Sequence, residues 1–249
     1  MEKTGGTDGM GTAIVTGASR GIGAAVAREL AAQGYDLVLT CSRTMDELHK
    51  VSEEIAQRYG VSCQPYRCDG GDPSAVRSLF AALGEVDLSL LVNNAGISYI
   101  GLLQEMTDEA WARVMATNLN SCFYFCRAAV PLFLRRRRGA IVNVSSVWGT
   151  AGASMEAAYS ASKGGVNALT RALAKELAPS GIAVNALSCG VIDTEMNRCF
   201  SEEEREALRA EIPADRFGTA QEAAQAVAAL ARMPSYLTGQ VVTMDGGWM

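Results

Sequence analysis

A short apolar and β-branched run, TAIVT at 12–16, leads straight into the turn residues Gly17, Ala18, Ser19, Arg20, Gly21, Ile22 and Gly23, and these open a helical pattern over 22–33. A strand that ends on glycines and passes at once into a helix must turn sharply and start that helix beyond its own C-terminal edge. Glycine tolerates such a turn and leaves the backbone amides open to close approach, and the helix N-terminus carries partial positive charge. The segment is therefore fitted to cradle a pyrophosphate.

The same alternation repeats along the chain. Strands are expected at 36–41, 62–67, 86–92, 140–145, 182–187 and 240–244, and helices at 45–59, 73–83, 108–138 in two pieces, 156–178, 201–210 and 220–231. Strands separated by helices of this length pair in parallel through right-handed crossovers. The expectation is an α/β fold, a single Rossmann-type doubly wound parallel sheet of about seven strands with helices on both faces. No Pro-rich or Gly/Ser-rich linker divides the chain and no long repeat is visible, so residues 11–249 read as one domain behind a flexible N-terminus at 1–10, MEKTGGTDGM.

Composition narrows the function. Hydrophobic residues make up 49% and charged residues 20%, enough for a sizeable core, while a net charge of -5 argues against nucleic acid as a partner. The N-terminus lacks the apolar stretch of a signal peptide and no later run is long enough to span a bilayer, so a cytoplasmic protein with no membrane partner is expected. The seven cysteines, Cys41, Cys63, Cys68, Cys122, Cys126, Cys189 and Cys199, are odd in number and lack paired ligand spacing. They read as reduced thiols. Cys122 and Cys126 stand four apart on a helix, but His49 is the only histidine, and no metal is assigned.

The kind of dinucleotide is read from the end of the second strand, where folds that bind NAD place a carboxylate on the ribose 2'-hydroxyl. Here that place holds Ser42 and Arg43. Arg43 and Arg20 offer guanidinium groups suited to a 2'-phosphate, so NADP(H) is the expected cofactor.

Further along stand Asp69 after the third strand, Asn93-Asn94-Ala95-Gly96 after the fourth, and Asn118 in the long helical region. Ser146 closes the fifth strand thirteen residues before Tyr159, and Tyr159-Ser160-Ala161-Ser162-Lys163 opens the helix at 156–178. With Gly17, Gly21 and Gly23 in a GxxxGxG pattern, this ordered set resembles the short-chain dehydrogenase/reductase family over nearly the whole chain. The resemblance implies a catalytic tetrad of Asn118, Ser146, Tyr159 and Lys163. It also implies cofactor contacts from Gly17, Ser19, Arg20, Gly21, Ile22, Gly23, Ser42, Arg43, Asp69, Asn94, Ala95 and Gly96, from Tyr159 and Lys163, and from Ile192 and Thr194.

The chemistry fits the spacing. Residues four apart on a helix share a face, so Lys163 is expected to act on the Tyr159 phenol and move it toward the working range of a general acid. Ser146, at the C-terminal end of a central strand, is placed to hydrogen-bond a substrate oxygen. The resemblance further implies that Lys163 holds the nicotinamide ribose and that Asn118 holds a proton-relaying water. One departure is Cys189-Gly190, where the family usually has Pro-Gly; without the fixed φ of proline this loop is expected to be looser or set differently.

Within the family, EIPADRFGTAQEAA at 211–224 and the ending YLTGQVVTMDGGW make the chain most similar to 3-oxoacyl-[acyl-carrier-protein] reductases, which reduce a keto thioester borne on an acidic carrier protein. Arg135, Arg136, Arg137 and Arg138, with Lys175, could dock such a carrier, or could simply end a helix favourably. Residues 145–149, 152–154 and 189–194 also resemble the reductases that act on the 5-aminopentanone group of elongation factor P, where Trp148 would shape the pocket. A small ketone or hydroxysteroid is a third substrate class, with the pocket expected at 149–156 and 193–212. A non-enzymatic NADPH sensor is the remaining alternative. Members of this type form homotetramers through the helices at 108–138 and 156–178, and the small face of Ala157, Ala161, Ala168 and Ala172 would permit close packing.

Overall fold

In the computed structural model, residues 10–197 and 200–249 are described. All of the expected flexible N-terminus except Met10, and Cys199, lie outside them.

The sheet follows from strands that are apolar on both faces. β1 (Thr12–Thr16), β2 (Asp36–Cys41), β3 (Cys63–Arg67), β4 (Leu88–Asn93), β5 (Gly139–Ser146), β6 (Ile182–Cys189) and β9 (Val241–Met244) form a seven-stranded sheet in the order β3-β2-β1-β4-β5-β6-β9. Every pairing in it is parallel. β7 (Ile192–Asp193) and β8 (Gly218–Thr219) pair separately. Both are too short for alternation to reveal in the sequence, as is the one-turn helix α6 (Trp148–Ala151).

Alternation along each strand divides the core into two layers. Ala13, Val15, Leu37, Leu39, Leu90, Val92, Val142 and Val144 face one cluster, covered by α1 (Gly21–Ala32), α2 (Met45–Tyr59) and α9 (Ala220–Arg232). Ile14, Val38, Leu91, Ile141 and Val184 face the other, covered by α3 (Pro73–Leu83), α5 (Ser121–Arg136) and α7 (Ala157–Leu177). β3 sits at the sheet edge and is half-exposed, which is where Pro65, unable to donate to a ladder, is tolerated. α8 (Glu202–Glu211) begins at a Ser201/Glu204 capping box.

The long helical region does break in two, and the break is specific. α4 (Asp108–Met115) and α5 are joined by a π-helical turn over Ala116–Asn120. The widened turn carries Asn118, which is fully buried. Such turns recur where a helix must present one residue to a site.

Candidate active site

All parallel strands point their C-terminal ends the same way, so the turns after β1, β2, β4, β5 and β6 open on one cleft, the usual place for a ligand in such a sheet. This cavity, of about 1110 Å³, is lined from Arg43 and Asp69 at one end to Tyr159, Trp148 and Trp248 at the other.

The glycine turn is fixed by contact as well as conformation. Gly17 has φ +65°, and a Cβ there would stand 2.9 Å from the Cα of Ala95; one at Gly23 would stand 2.3 Å from the Gly17 carbonyl oxygen. The bare backbone leaves the cradle open to a phosphate group. The Asn94 amide donates to the carbonyls of Thr16 (2.9 Å) and Gly17 (3.1 Å), and the Thr16 hydroxyl accepts from the backbone N–H groups of Asn94 and Ala95. Asn94 thus braces the turn after β1 against the turn after β4. Gly17, Ser19, Arg20, Gly21, Ile22, Ser42, Arg43, Asp69, Asn94, Ala95, Gly96, Ile192 and Thr194 line the cleft, and Gly23 packs directly behind it.

The adenosine end carries no carboxylate at the tip of β2. Arg43 is exposed and makes no ion pair among the described residues, whereas Arg20 pairs with Glu195 at 3.0 Å. Both partners of that pair are open to solvent, so it holds little free energy and leaves the guanidinium exchangeable. Thr44, which the sequence did not single out, donates to the Ser19 hydroxyl at 2.7 Å and ties the β2 turn to the glycine turn.

At the other end, Ser146, Tyr159 and Lys163 come together. The Ser146 hydroxyl oxygen accepts the Trp148 N–H at 3.2 Å, which turns its own proton away from that amide, and both Ser146 and Tyr159 line the cavity. Lys163 is buried; its ammonium donates to the Val144 carbonyl at 2.8 Å and stands 5.7 Å from the centre of the Tyr159 ring. The electrostatic outcome differs from the sequence expectation. Burial raises the Tyr159 phenol above its ordinary value, outweighing the Ser146 side chain, which lowers it, and burial depresses Lys163. Desolvation of the charged forms wins because the ammonium is spent on a backbone carbonyl rather than aimed at the phenolate oxygen. The protein alone therefore keeps Tyr159 a neutral phenol, the form that can give a proton.

Asn118 does not reach the phenol. Its carboxamide accepts from the Ile97 N–H (2.8 Å) and donates to the Ile97 carbonyl (2.9 Å) and the Ser162 hydroxyl (3.0 Å). The carboxamide pins the chain leaving β4 to α7. Its backbone carbonyl accepts the Cys122 thiol at 3.2 Å.

The loop at Cys189-Gly190 is tied down despite the missing proline. The Cys189 carbonyl accepts from the Val147 N–H (3.0 Å), the Gly190 N–H donates to Met244 (2.9 Å), and Asn197 donates to the Ile192 carbonyl (2.7 Å). A Cβ at Gly190 would come within 2.7 Å of Asp245, so the glycine of the pair is the residue the packing requires. The Cys189 thiol is buried and pushed up to about 12, an unreactive thiol at neutral pH. Cys122 is likewise held up at about 11 by burial. Among the described residues no group of three or more His, Cys, Asp or Glu side chains could hold a metal ion, and no helix is long and apolar enough to cross a membrane.

A polar ladder beneath the site escaped the sequence reading. Asn93 donates to Asn143 (2.9 Å), Asn143 donates to Thr170 (2.8 Å), and Ser145 donates to Asn167 (2.6 Å), all buried, joining β4 and β5 to the helix that carries Tyr159 and Lys163. Its signal was present: an asparagine in the middle of AIVNVS, a strand otherwise apolar on both faces. Replacing Asn143 with alanine strips the buried Asn93 amide of its oxygen acceptor, leaving it only the Cys126 thiol at 3.4 Å beside an oxygen that is already unpartnered, and is expected to destabilise the fold by about 1–3 kcal/mol. Urea unfolding that shows no change in midpoint would refute this.

The expected substrate pocket is right in its second part and, in its first, only at Glu156. Met196, Phe200, Leu208 and Glu211 line the cavity, but residues 150–155 do not; Ser98, Ile100 and the penultimate residue Trp248 take their place. Trp248 packs edge-on against Trp148, ring centres 4.9 Å apart.

A family model described as short chain dehydrogenase matches residues 11–205. Relatives include the uncharacterized oxidoreductase YmfI of Bacillus subtilis, 37% identical over 95% of this chain and 98% of that protein. The 3-oxoacyl-[acyl-carrier-protein] reductase FabG of Escherichia coli is 39% identical over 94% and 96%. A solved structure from Agrobacterium tumefaciens, provisionally assigned as a gluconate dehydrogenase, superposes with a TM-score of 0.92 at 34% identity, covering 96% of each chain.

Proposed function

From membership of the short chain dehydrogenase family, to which this chain belongs, we propose that it is an NADPH-dependent carbonyl reductase that converts a ketone to a secondary alcohol. The observation that carries this reading is the meeting of Tyr159, Ser146 and Lys163 at one end of a cleft whose other end offers Arg43, with no carboxylate at the tip of β2. A bound nicotinamide supplies the hydride to the carbonyl carbon. Tyr159, held neutral by burial, gives the proton to the carbonyl oxygen, and Ser146 donates a hydrogen bond to that oxygen as charge grows on it. Lys163 would hold the nicotinamide ribose.

The first candidate substrate is a 3-oxoacyl thioester on an acyl carrier protein, supported by the identity to FabG. Arg135, Arg137 and Arg138, all exposed, would meet the acidic carrier, while Arg136 pairs with Asp87. This run precedes β5 and so stands a full strand from Ser146, about 26 Å for eight residues at the usual rise. The second candidate is the 5-aminopentanone group on elongation factor P, favoured by the Trp148–Trp248 wall at the substrate end.

Following NADPH oxidation with an acetoacetyl thioester, and with elongation factor P carrying the ketone, separates the two. NADPH binding without turnover of any ketone would leave a sensor in place of an enzyme. We also propose a cytoplasmic homotetramer. Ala157, Ala161, Ala168 and Ala172 form an exposed small face on α7, and Trp111 and Phe123 are exposed on α4 and α5. Size-exclusion with light scattering should give four times the chain mass, and a stable monomer at micromolar concentration would sink the assignment.

A further inference from the structure

The substrate end of the cleft carries a negative charge that proton donation does not need. Glu156 immediately precedes α7, three residues before Tyr159, and lines the same cavity. Its position is built: its N–H donates to the Ala153 carbonyl (3.3 Å), its carbonyl accepts from Ser160 (2.8 Å), and its carboxylate accepts the Ser98 hydroxyl at 2.6 Å. Among the described residues no Lys or Arg pairs with it. A carboxylate beside a general acid works against that acid, and its charge does raise the Tyr159 phenol further. A carboxylate fixed at the substrate end with no Lys or Arg paired to it among the described residues is available to a cationic substrate group.

Lining the same end of the cavity are the half-buried indoles of Trp148 and Trp248, whose ring faces attract cations. Glu204 and Glu211 reach the cavity from α8, against Arg113 from α4; Arg20 and Arg43 line it with the dinucleotide-binding turns.

We propose that Glu156 and the Trp148–Trp248 pair form a cation-accepting subsite, so that the preferred ketone bears an ammonium group a short alkyl chain away from its carbonyl. The proposal rests on the carbonyl-reductase reading and specifies its substrate class by charge.

Three ketones of matched length test it: 5-(trimethylammonio)pentan-2-one, its neutral isostere 6,6-dimethylheptan-2-one, and the anion 5-oxohexanoate. The expected kcat/KM for the cation exceeds that for the isostere by about tenfold, with the anion poorest. In Glu156→Gln, which keeps an acceptor for Ser98, the cation-to-isostere ratio should fall to about one. A ratio within one protein cancels any general loss of folded enzyme. Equal ratios in both proteins, or no preference for the cation in the parent, overturn the subsite. Calorimetric titration of the same ketones reads the ratio in binding. Absence of turnover therefore overturns the reductase reading alone, while cation binding unaffected by Glu156→Gln overturns this one.

Discussion

Replacing Tyr159 with phenylalanine is expected to lower kcat for ketone reduction about a thousandfold while leaving NADPH affinity within about threefold, as befits loss of a positioned general acid. The substitution removes one oxygen from a half-buried ring and leaves the glycine turn and Arg43 untouched. Ser146 keeps the Trp148 N–H as donor, so its hydroxyl stays oriented toward the substrate oxygen and a residual rate survives. Single-turnover kinetics with saturating NADPH measure the chemical step directly. A loss under about tenfold would mean that another group supplies the proton, and the assignment of the site would fail.

The raised pKa of Tyr159 sets the direction of the pH response in the protein itself. Because the folded-state pKa lies above the ordinary tyrosine value, the folded state holds this proton more tightly than the unfolded chain. Stability from Tyr159 is therefore full at neutral pH and is lost as pH climbs through the folded pKa. Lys163 has the opposite sign: its folded pKa is depressed, so its neutral form is favoured in the fold and its contribution is lost as pH falls through that depressed value.

Most of the fold was legible because its signals are local. Buried parallel strands read as apolar runs, and all seven are seen within two residues of their observed starts; the helices at 45–59 and 73–83 match to the residue. The ligand-binding end was legible because glycine spacing and the Tyr159–Lys163 pair have a geometric meaning that sequence spacing preserves. Three things were not. The electrostatic balance at Tyr159 depends on how deeply the phenol is buried and on Lys163 turning to Val144, and neither is a property of spacing. The commitment of Asn118 to Ile97 depends on a π turn that hydrophobic periodicity does not distinguish from an ordinary helix. Trp248 reaches the substrate end only because β9 lies beside β6 at the sheet edge and delivers the C-terminus there, a contact between residues about a hundred positions apart in sequence.

Exchanging Arg43 for aspartate together with Arg20 for alanine is expected to reverse the dinucleotide preference, changing the ratio of kcat/KM for NADPH over NADH by at least about a hundredfold. Each guanidinium–phosphate pair supplies charge-assisted hydrogen bonds of about 1.5–3 kcal/mol, so losing two removes more than that factor requires. The new carboxylate at the end of β2 would repel a 2'-phosphate and accept hydrogen bonds from a free ribose 2'-hydroxyl. Arg43 needs no partner broken to engage a phosphate, whereas Arg20 must leave Glu195. Since that ion pair is exposed, Arg43→Asp alone should account for the larger share of the change, and Glu195→Gln should tighten NADPH modestly by freeing Arg20. Both effects should weaken as salt rises, because the groups stand in solvent. If NADPH and NADH are used in the same ratio by the parent and the double variant, the arginines are surface charges and the cofactor is chosen by shape at the glycine turn.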